Sequence, residues 1–154
     1  MVNPSNIAIT ATYSVIPTSG AQGQCVGDTF NVIVTVNPVP FIPDMHTSEC
    51  SGYMFTVSPQ NNVPPGTIVP AGTMYSWPMP NLPPELTNGA TGTNNPFIYG
   101  TLINHTNVPW DAIYTVTPAT SLCTGNSFIL TVTVDPTPKI PNYFDTICTG
   151  ESFS

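Results

Sequence analysis

Hydrophobic and polar residues alternate over several short stretches of this chain. Residues 30–36 (Phe-Asn-Val-Ile-Val-Thr-Val) and residues 128–134 (Phe-Ile-Leu-Thr-Val-Thr-Val) carry Phe, Leu or Val at every second position. A period of two is typical of a β-strand with one buried face, and threonine suits the solvated face of such a strand. No window of about 11 residues shows the 3.6-residue period of an amphipathic helix. The pattern therefore predicts strands.

Five further strands are predicted from alternation or from short apolar runs. They are expected at residues 53–57, 73–77, 97–103 and 112–116, with a weaker edge strand at residues 41–45. Turn residues such as Asn88-Gly89 and Pro65-Gly66 separate these runs. The predicted fold class is all-β, an immunoglobulin-like β-sandwich of about seven short strands.

The chain also repeats itself. Residues 11–17 (Ala-Thr-Tyr-Ser-Val-Ile-Pro) match residues 112–118 (Ala-Ile-Tyr-Thr-Val-Thr-Pro) at a shift of 101 residues. Residues 25–30 (Cys-Val-Gly-Asp-Thr-Phe) match residues 123–128 (Cys-Thr-Gly-Asn-Ser-Phe) at a shift of 98 residues. The difference of three residues falls between the two blocks, where a hairpin loop is expected. Self-similarity at a fixed period indicates a tandem-repeat architecture.

The repeat divides the chain into three parts. We expect residues 1–38 to be the C-terminal part of one repeat, residues 39–136 a complete repeat and residues 137–154 the start of the next. The prolines that flank both boundaries would stiffen the connections, since proline fixes φ; they lie at positions 38, 40, 43, 136, 138 and 141. The first residues lack the basic and apolar regions of a secretion signal. We therefore expect a segment of a longer array.

Composition excludes several classes of partner. Only 6% of the residues are charged, the net charge is −7, and Lys139 is the single Lys or Arg. One cation cannot neutralise a row of phosphates, so neither nucleic-acid binding nor attraction to anionic lipid is expected. No apolar run approaches the roughly 20 residues of a membrane span. Scarce lysine with abundant threonine and asparagine favours an extracellular location.

The order of residues within the unit resembles a known repeat. The matching blocks are Cys-Ser-Gly and Phe-Thr-Val within residues 50–59, Ala-Gly-Thr and Tyr-x-Trp within 68–77, Leu-x-Asn-x-Thr-Asn at 102–107, Tyr-Thr-Val-Thr-Pro at 114–118, and Cys-x-Gly with Thr-Val-Thr-Val within 123–136. This order resembles the PKD-like, immunoglobulin-like repeats of very large surface proteins of Bacteroidota. Those proteins often carry a gliding-motility-associated C-terminal region and leave the cell by type IX secretion.

The resemblance implies a function without catalysis. It implies a structural repeat of a long adhesin or filament at the outer-membrane surface, which spaces and presents an adhesive tip in attachment or gliding. The implied partners are neighbouring repeats, surface polysaccharide or identical chains. Two alternatives stay open, namely a carbohydrate-binding module and an accessory domain of a secreted polysaccharide hydrolase.

Four cysteines offer more than one pairing. A complete repeat holds Cys50 and Cys123, which suggests an internal disulfide worth roughly 4 kcal/mol in an exported protein. In a standard sandwich, however, the two cysteines would lie at opposite ends, too far apart to bond. The alternatives are Cys25–Cys50 with Cys123–Cys148, which would staple successive repeats, or free thiols. No CxxC pair or nearby histidine indicates zinc.

Aromatic residues are candidates for the core and for glycan contact. Trp77 is expected in the core, because an immunoglobulin-like sandwich usually buries a tryptophan on its third strand. Trp110 follows Pro109 in a predicted loop and, with Tyr99, is the candidate contact for a bound glycan.

The remaining polar motifs predict no chemistry. His46 and His105 lack an orienting carboxylate or further ligands, and the carboxylates are isolated, which leaves open only a junction calcium site at Asp44 or Asp135. Asn104-His105-Thr106 has the form of a eukaryotic glycosylation triplet. Asp145-Thr146-Ile147 resembles the O-glycosylation acceptor of Bacteroidota, with Thr146 as the acceptor. We expect no enzyme activity, no cofactor and no metal.

Overall fold

A computed structural model describes residues 1–20, 23–144, 146, 148–150 and 152. The regular secondary structure of these residues consists of β-strands, which confirms the predicted all-β fold class. The strands are β1 (Ile9–Val15), β2 (Phe30–Val36), β3 (Met45–Cys50), β4 (Met54–Val57), β5 (Met74–Trp77), β6 (Leu86–Thr87), β7 (Gly92–Asn95), β8 (Ile98–Thr101), β9 (Ile103–Asn104), β10 (Trp110–Ala119) and β11 (Phe128–Asp135).

Strands β3 to β11 form a sandwich. The larger sheet has the order β3-β11-β10-β5-β7, and two short antiparallel pairs, β4-β8 and β6-β9, complete the unit. β10 and β11 form the central antiparallel hairpin, whereas β3 runs parallel to β11 along the outer edge. The Phe55 ring of β4 meets the Tyr114 ring of β10 edge-on, with centroids 5.5 Å apart, so the core lies between the layers.

The core follows the predicted alternation. β11 buries Phe128, Leu130, Val132 and Val134, and each such side chain contributes about 1.5–3 kcal/mol relative to exposure. Trp77 is 4% exposed and its Nε1 donates to the carbonyl oxygen of Ala90 at 3.0 Å, so the prediction of a core tryptophan is confirmed.

β1 and β2 form a second hairpin with the register of β10 and β11. Ile9 faces Val36 and Val15 faces Phe30, as Trp110 faces Val134 and Val116 faces Phe128. The sequence match between the two segments is therefore also a match in structure. Their environments differ, because Tyr13 is 48% exposed whereas its counterpart Tyr114 is 1% exposed. Among the described residues, no layer covers the apolar face of the first hairpin as β4 and β8 cover that of β10 and β11.

The linker between the hairpin and the sandwich belongs to the sandwich. The strand predicted at 41–45 is wrong, since the strand runs from Met45 to Cys50. Phe41 instead forms a two-bond bridge with Ile68, at 2.9 and 2.7 Å, and the side chains of Pro40 and Ile42 are buried. The proline-rich linker is thus held by the core rather than acting as a free spacer.

Candidate functional site

The two ends of each unit carry distinct loops. We define the upper end as the one with the loop Asn104–Val108 in the sandwich or Asn3–Ile7 in the hairpin, and the lower end as the one with the turn that contains Cys123 or Cys25. The chain enters the sandwich at its lower end and leaves at its upper end, where β11 ends.

One asparagine holds the upper loop of the sandwich. Asn104 is 8% exposed, and its Nδ2 donates to the carbonyl oxygens of Val108 and Val134 at 2.7 and 2.8 Å. Its Oδ1 accepts from the amide and the hydroxyl of Thr106, both at 2.8 Å. The side chain therefore clamps the loop to the end of β11. The amide nitrogen of the Asn-His-Thr triplet is fully used in this clamp.

The hairpin unit repeats this network bond for bond. Nδ2 of Asn3 donates to the carbonyl oxygens of Ile7 and Val36, both at 2.8 Å, and Oδ1 accepts from the amide and hydroxyl of Ser5. Asn104 and Thr106 belong to the pattern that carries the family resemblance, but neither their network nor its repeat at Asn3 was predicted from the sequence. Its signal is an Asn-x-Ser/Thr-x-aliphatic pattern that recurs at the shift of 101 residues.

The lower turns also match, in spite of their different lengths. The amide of Gly125 donates to the carbonyl oxygen of Pro118 at 2.9 Å, and that of Gly27 donates to Pro17 at 2.9 Å. At Gly125 an added Cβ would overlap the carbonyl oxygen of Pro40, whereas at Gly27 it would meet mainly the Pro17 side chain. Glycine is therefore needed at the lower end of the sandwich because the linker backbone approaches it closely.

Trp110 borders a polar groove and is the first residue of β10, so the prediction that it lies in a loop is wrong. Its side chain is half-buried, and its Nε1 donates to the hydroxyl of Thr106 at 3.1 Å. The groove beside it has a volume of about 690 Å³. Its lining combines this ring with prolines, aliphatic residues and three polar residues: Asn81, Leu82, Pro83, Pro109, Asp111, Ile113 and Thr133.

A hydrogen-bond chain lies at the edge of this groove. The hydroxyl of Thr133 donates to Oδ1 of Asp111 at 2.6 Å, and Nε2 of His46 lies 2.9 Å from the same hydroxyl. Because a hydroxyl has a single hydrogen, His46 must be the donor in the second bond. Three polar side chains from β3, β11 and β10 are thus ordered on the outer face of the sheet.

Tyr99 lies elsewhere. It is 41% exposed and packs against the edges of Trp77 and Phe97, with centroid distances of 6.0 and 5.6 Å. Tyr99 does not line the groove of Trp110. The structure therefore does not bring the two candidate glycan contacts together in that groove.

The disulfides proposed from the sequence do not form in this structure, where Cys25, Cys50 and Cys123 are free thiols. Cys50 lies opposite Asp135 in the β3-β11 ladder, at the upper end of β11, whereas Cys123 lies in the turn that precedes the lower end of β11. Eight residues of strand separate these ends by roughly 23 Å, beyond the limit of about 7 Å between bonded cysteine Cα atoms. Cys25 lies in the turn of the other unit, so it is also remote from Cys50. Cys148 is exposed in the C-terminal segment.

The remaining candidates stay apart. Oδ1 of Asp44 accepts from the Ile129 amide at 2.8 Å, and Nε2 of His105 lies 2.9 Å from the Thr87 hydroxyl. The described residues contain no cluster of three or more His, Cys, Asp or Glu able to hold a metal, and no helix long and apolar enough to cross a membrane. Thr146 is described, but Asp145 and Ile147 of its motif lie outside the described residues, so its O-glycosylation stays a prediction.

The profile of the PKD-like domain matches residues 1–40 and again residues 47–138. The chain belongs to the PKD-like domain family. No curated protein matches it significantly. The two PKD-like matches end 98 residues apart, which is the shift found within the sequence. PKD-like domains are generally non-catalytic and typically extracellular.

Proposed function

We propose that this protein is a non-catalytic, load-bearing repeat of a long extracellular adhesin or filament. Residues 1–38, 39–136 and 137–154 are then the end of one repeat, a complete repeat and the start of another. The observation that carries the proposal is the duplicated hairpin, whose strand register and upper-loop asparagine network recur bond for bond. The surface of a gliding or biofilm-forming bacterium that uses type IX secretion is the setting that the resemblance favours.

The path of the chain through the sandwich supports a mechanical role. Tension would pull the start of β3 towards the lower end and the end of β11 towards the upper end. These strands are parallel neighbours joined over six residue pairs, so tension shears the whole ladder at once. Two side-chain bonds extend the ladder beyond its ends, from the Ile129 amide to Asp44 and from the Thr137 hydroxyl to Ser51.

Electron microscopy of the complete parent protein tests this proposal. A structural array gives a thin filament of beads, each of the size of one sandwich. A compact particle would contradict it. A parent with one or two copies beside a catalytic domain would instead support an accessory domain of a secreted hydrolase.

A second function is favoured by the groove beside Trp110. An aromatic face next to Asp111, Asn81 and Thr133 combines the stacking surface and the hydrogen-bonding groups that a sugar requires. A glycan array tests this function with the wild type, Trp110→Ala and Asp111→Ala. Binding that is lost in both variants, while Tyr99→Ala still binds, would place a glycan in the groove. A pure spacer gives no signal with any of the four proteins.

A further inference from the structure

The upper end of the hairpin unit already carries the lower end of a sandwich. A crevice of about 270 Å³ at this junction is lined on one side by the upper end of the hairpin and on the other by two loops of the sandwich. The hairpin contributes residues 6–8 and 37–38, and the sandwich contributes residues 70–71 and 120–122. The surfaces are uncharged, with proline, alanine, serine, threonine and leucine from the sandwich side.

A second crevice on the junction has the same origin. It has a volume of about 570 Å³ and joins Asn3 and Val36 of the hairpin to Phe41, Ile68 and Asn126 of the sandwich. The network of Asn3 therefore shapes a loop that faces the neighbouring unit. The junction thus consists of an upper loop, the linker and a lower end.

The linker is buried in the core of the sandwich that follows it, whereas its counterpart after the sandwich is exposed. Pro40 and Ile42 are buried, whereas the residues 98 positions later, Pro138 and Ile140, are exposed. The contrast is greatest for the isoleucines, which are 4% and 89% exposed. The second linker keeps the prolines and the isoleucine of the first, but no core covers them among the described residues.

The upper end of the sandwich has the same features as the upper end of the hairpin unit. The network of Asn104 copies that of Asn3, and a crevice of about 460 Å³ lies between residues 104–107 and 136–140. It corresponds to the hairpin and linker side of the second junction crevice. Lys139 replaces Phe41, a change that the junction tolerates because the Phe41–Ile68 bridge uses backbone atoms alone.

We propose that the upper end of residues 39–136 is a docking surface for the lower end of another copy of this unit, positioned by residues 137–144. This inference rests on the proposed repeat function and adds the contact by which successive units hold a fixed angle. The partner presents an uncharged loop pair equivalent to residues 70–71 and 120–122. The surface that receives it is formed by residues 104–109 and 135–138.

A lengthened chain tests the inference. Residues 137–154 correspond to residues 39–56, so a copy of residues 57–136 attached after residue 154 completes a further unit. In the 154-residue chain, Ile140→Ala leaves the denaturation midpoint unchanged, because the side chain is exposed. In the lengthened chain we expect Ile140→Ala to lower the midpoint of the added unit as much as Ile42→Ala lowers that of residues 39–136.

Docking needs a separate readout. In the lengthened chain we expect the amides of Asn107 and Val108 to gain protection from hydrogen exchange, and spin labels on neighbouring sandwiches to give one narrow distance distribution. Asn107→Asp should broaden that distribution, because its counterpart Asn6 is half-buried in the uncharged crevice of the existing junction, while Thr115→Asp, on the outer face of β10, should not. A stable added unit with a broad distance distribution would overturn the docking surface and leave the repeat function standing. A neutral Ile140→Ala in the lengthened chain would overturn both.

Discussion

At the scale of single residues, the buried side chain of Asn104 leads to a direct prediction about the stability of the sandwich. Asn104→Asp keeps the acceptor oxygen but removes both Nδ2 donors and places a charge against two carbonyl oxygens. We expect a loss of about 2–3 kcal/mol in unfolding free energy, because a buried group loses its partners. Asn107→Asp is the matched control, since Asn107 is exposed in the same loop. Chemical denaturation followed by tryptophan fluorescence measures both; equal stability of the two variants would contradict the clamp.

Gly125 and its counterpart Gly27 should differ in how well they tolerate alanine. Gly125→Ala places a methyl group against the Pro40 backbone, and such overpacking costs about 1–3 kcal/mol. Gly27→Ala makes the same change where no linker approaches. Both tryptophans lie in the sandwich, so fluorescence reports its stability alone. We expect Gly125→Ala to lower the denaturation midpoint and Gly27→Ala to leave it unchanged; a tolerated Gly125→Ala would show that the linker does not rest on this turn.

The sequence predicted buried apolar residues better than polar ones. Trp77 and the alternating face of β11 could be assigned because burial of large apolar side chains is the dominant favourable term in folding. Asn104 could not, since an asparagine in a loop is usually solvated and only the fold places its partners within reach. The sequence left the cysteine pairing open, because pairing depends on which ends of the strands meet.

At the scale of elements, long strands with clear alternation were predicted and partner changes were not. The strand expected at 97–103 is interrupted, because β8 pairs with β4 whereas β9 pairs with β6. At Leu102 the side chain is buried and its carbonyl oxygen accepts from the Gly52 amide at 2.8 Å. A change of partner depends on distant strands, so a local pattern does not contain it. Six of the seven predicted strands correspond to strands of the structure.

Two buried tyrosines, one on β5 and one on β10, predict that the stability of the folded state falls at alkaline pH. Burial raises the pKa of Tyr75 and of Tyr114 from 10.0 to about 12. Because the unfolded chain ionises first, the stability of the folded state is fully present below pH 10 and falls as the pH rises from 10 towards 12. A titration of phenolate absorbance should show two late groups whose ionisation accompanies unfolding. Tyr114→Phe should reduce this alkaline loss; ionisation of Tyr75 and Tyr114 near pH 10 with the fold intact would contradict it.

At the scale of the whole molecule, the two hairpins differ in whether a second layer covers their apolar face. Phe30 and Phe128 occupy the same register position, yet they are 51% and 3% exposed. The difference is the layer formed by β4 and β8, which only the complete unit contains. One pair of strands therefore takes its shape from its own register and its end loops, while its stability comes from the opposing layer.

The arrangement of the terminal strands gives the whole molecule a direction of strength. Parallel β3 and β11 carry tension in shear when the chain is pulled from its linkers. The same strands would separate one residue pair at a time if both were pulled from the lower end. A load-bearing repeat therefore needs the attachment points that its linkers provide.

Single-molecule force measurements test the load-bearing function most directly. With handles at residues 37 and 142, we expect one rupture at high force. The contour length should then grow by about 300 Å, because roughly 90 residues lie between the start of β3 and the end of β11. With handles at residues 43 and 126, both at the lower end, we expect the same strands to separate at much lower force. Equal rupture forces for the two geometries, or gradual extension without a rupture, would contradict the load-bearing repeat.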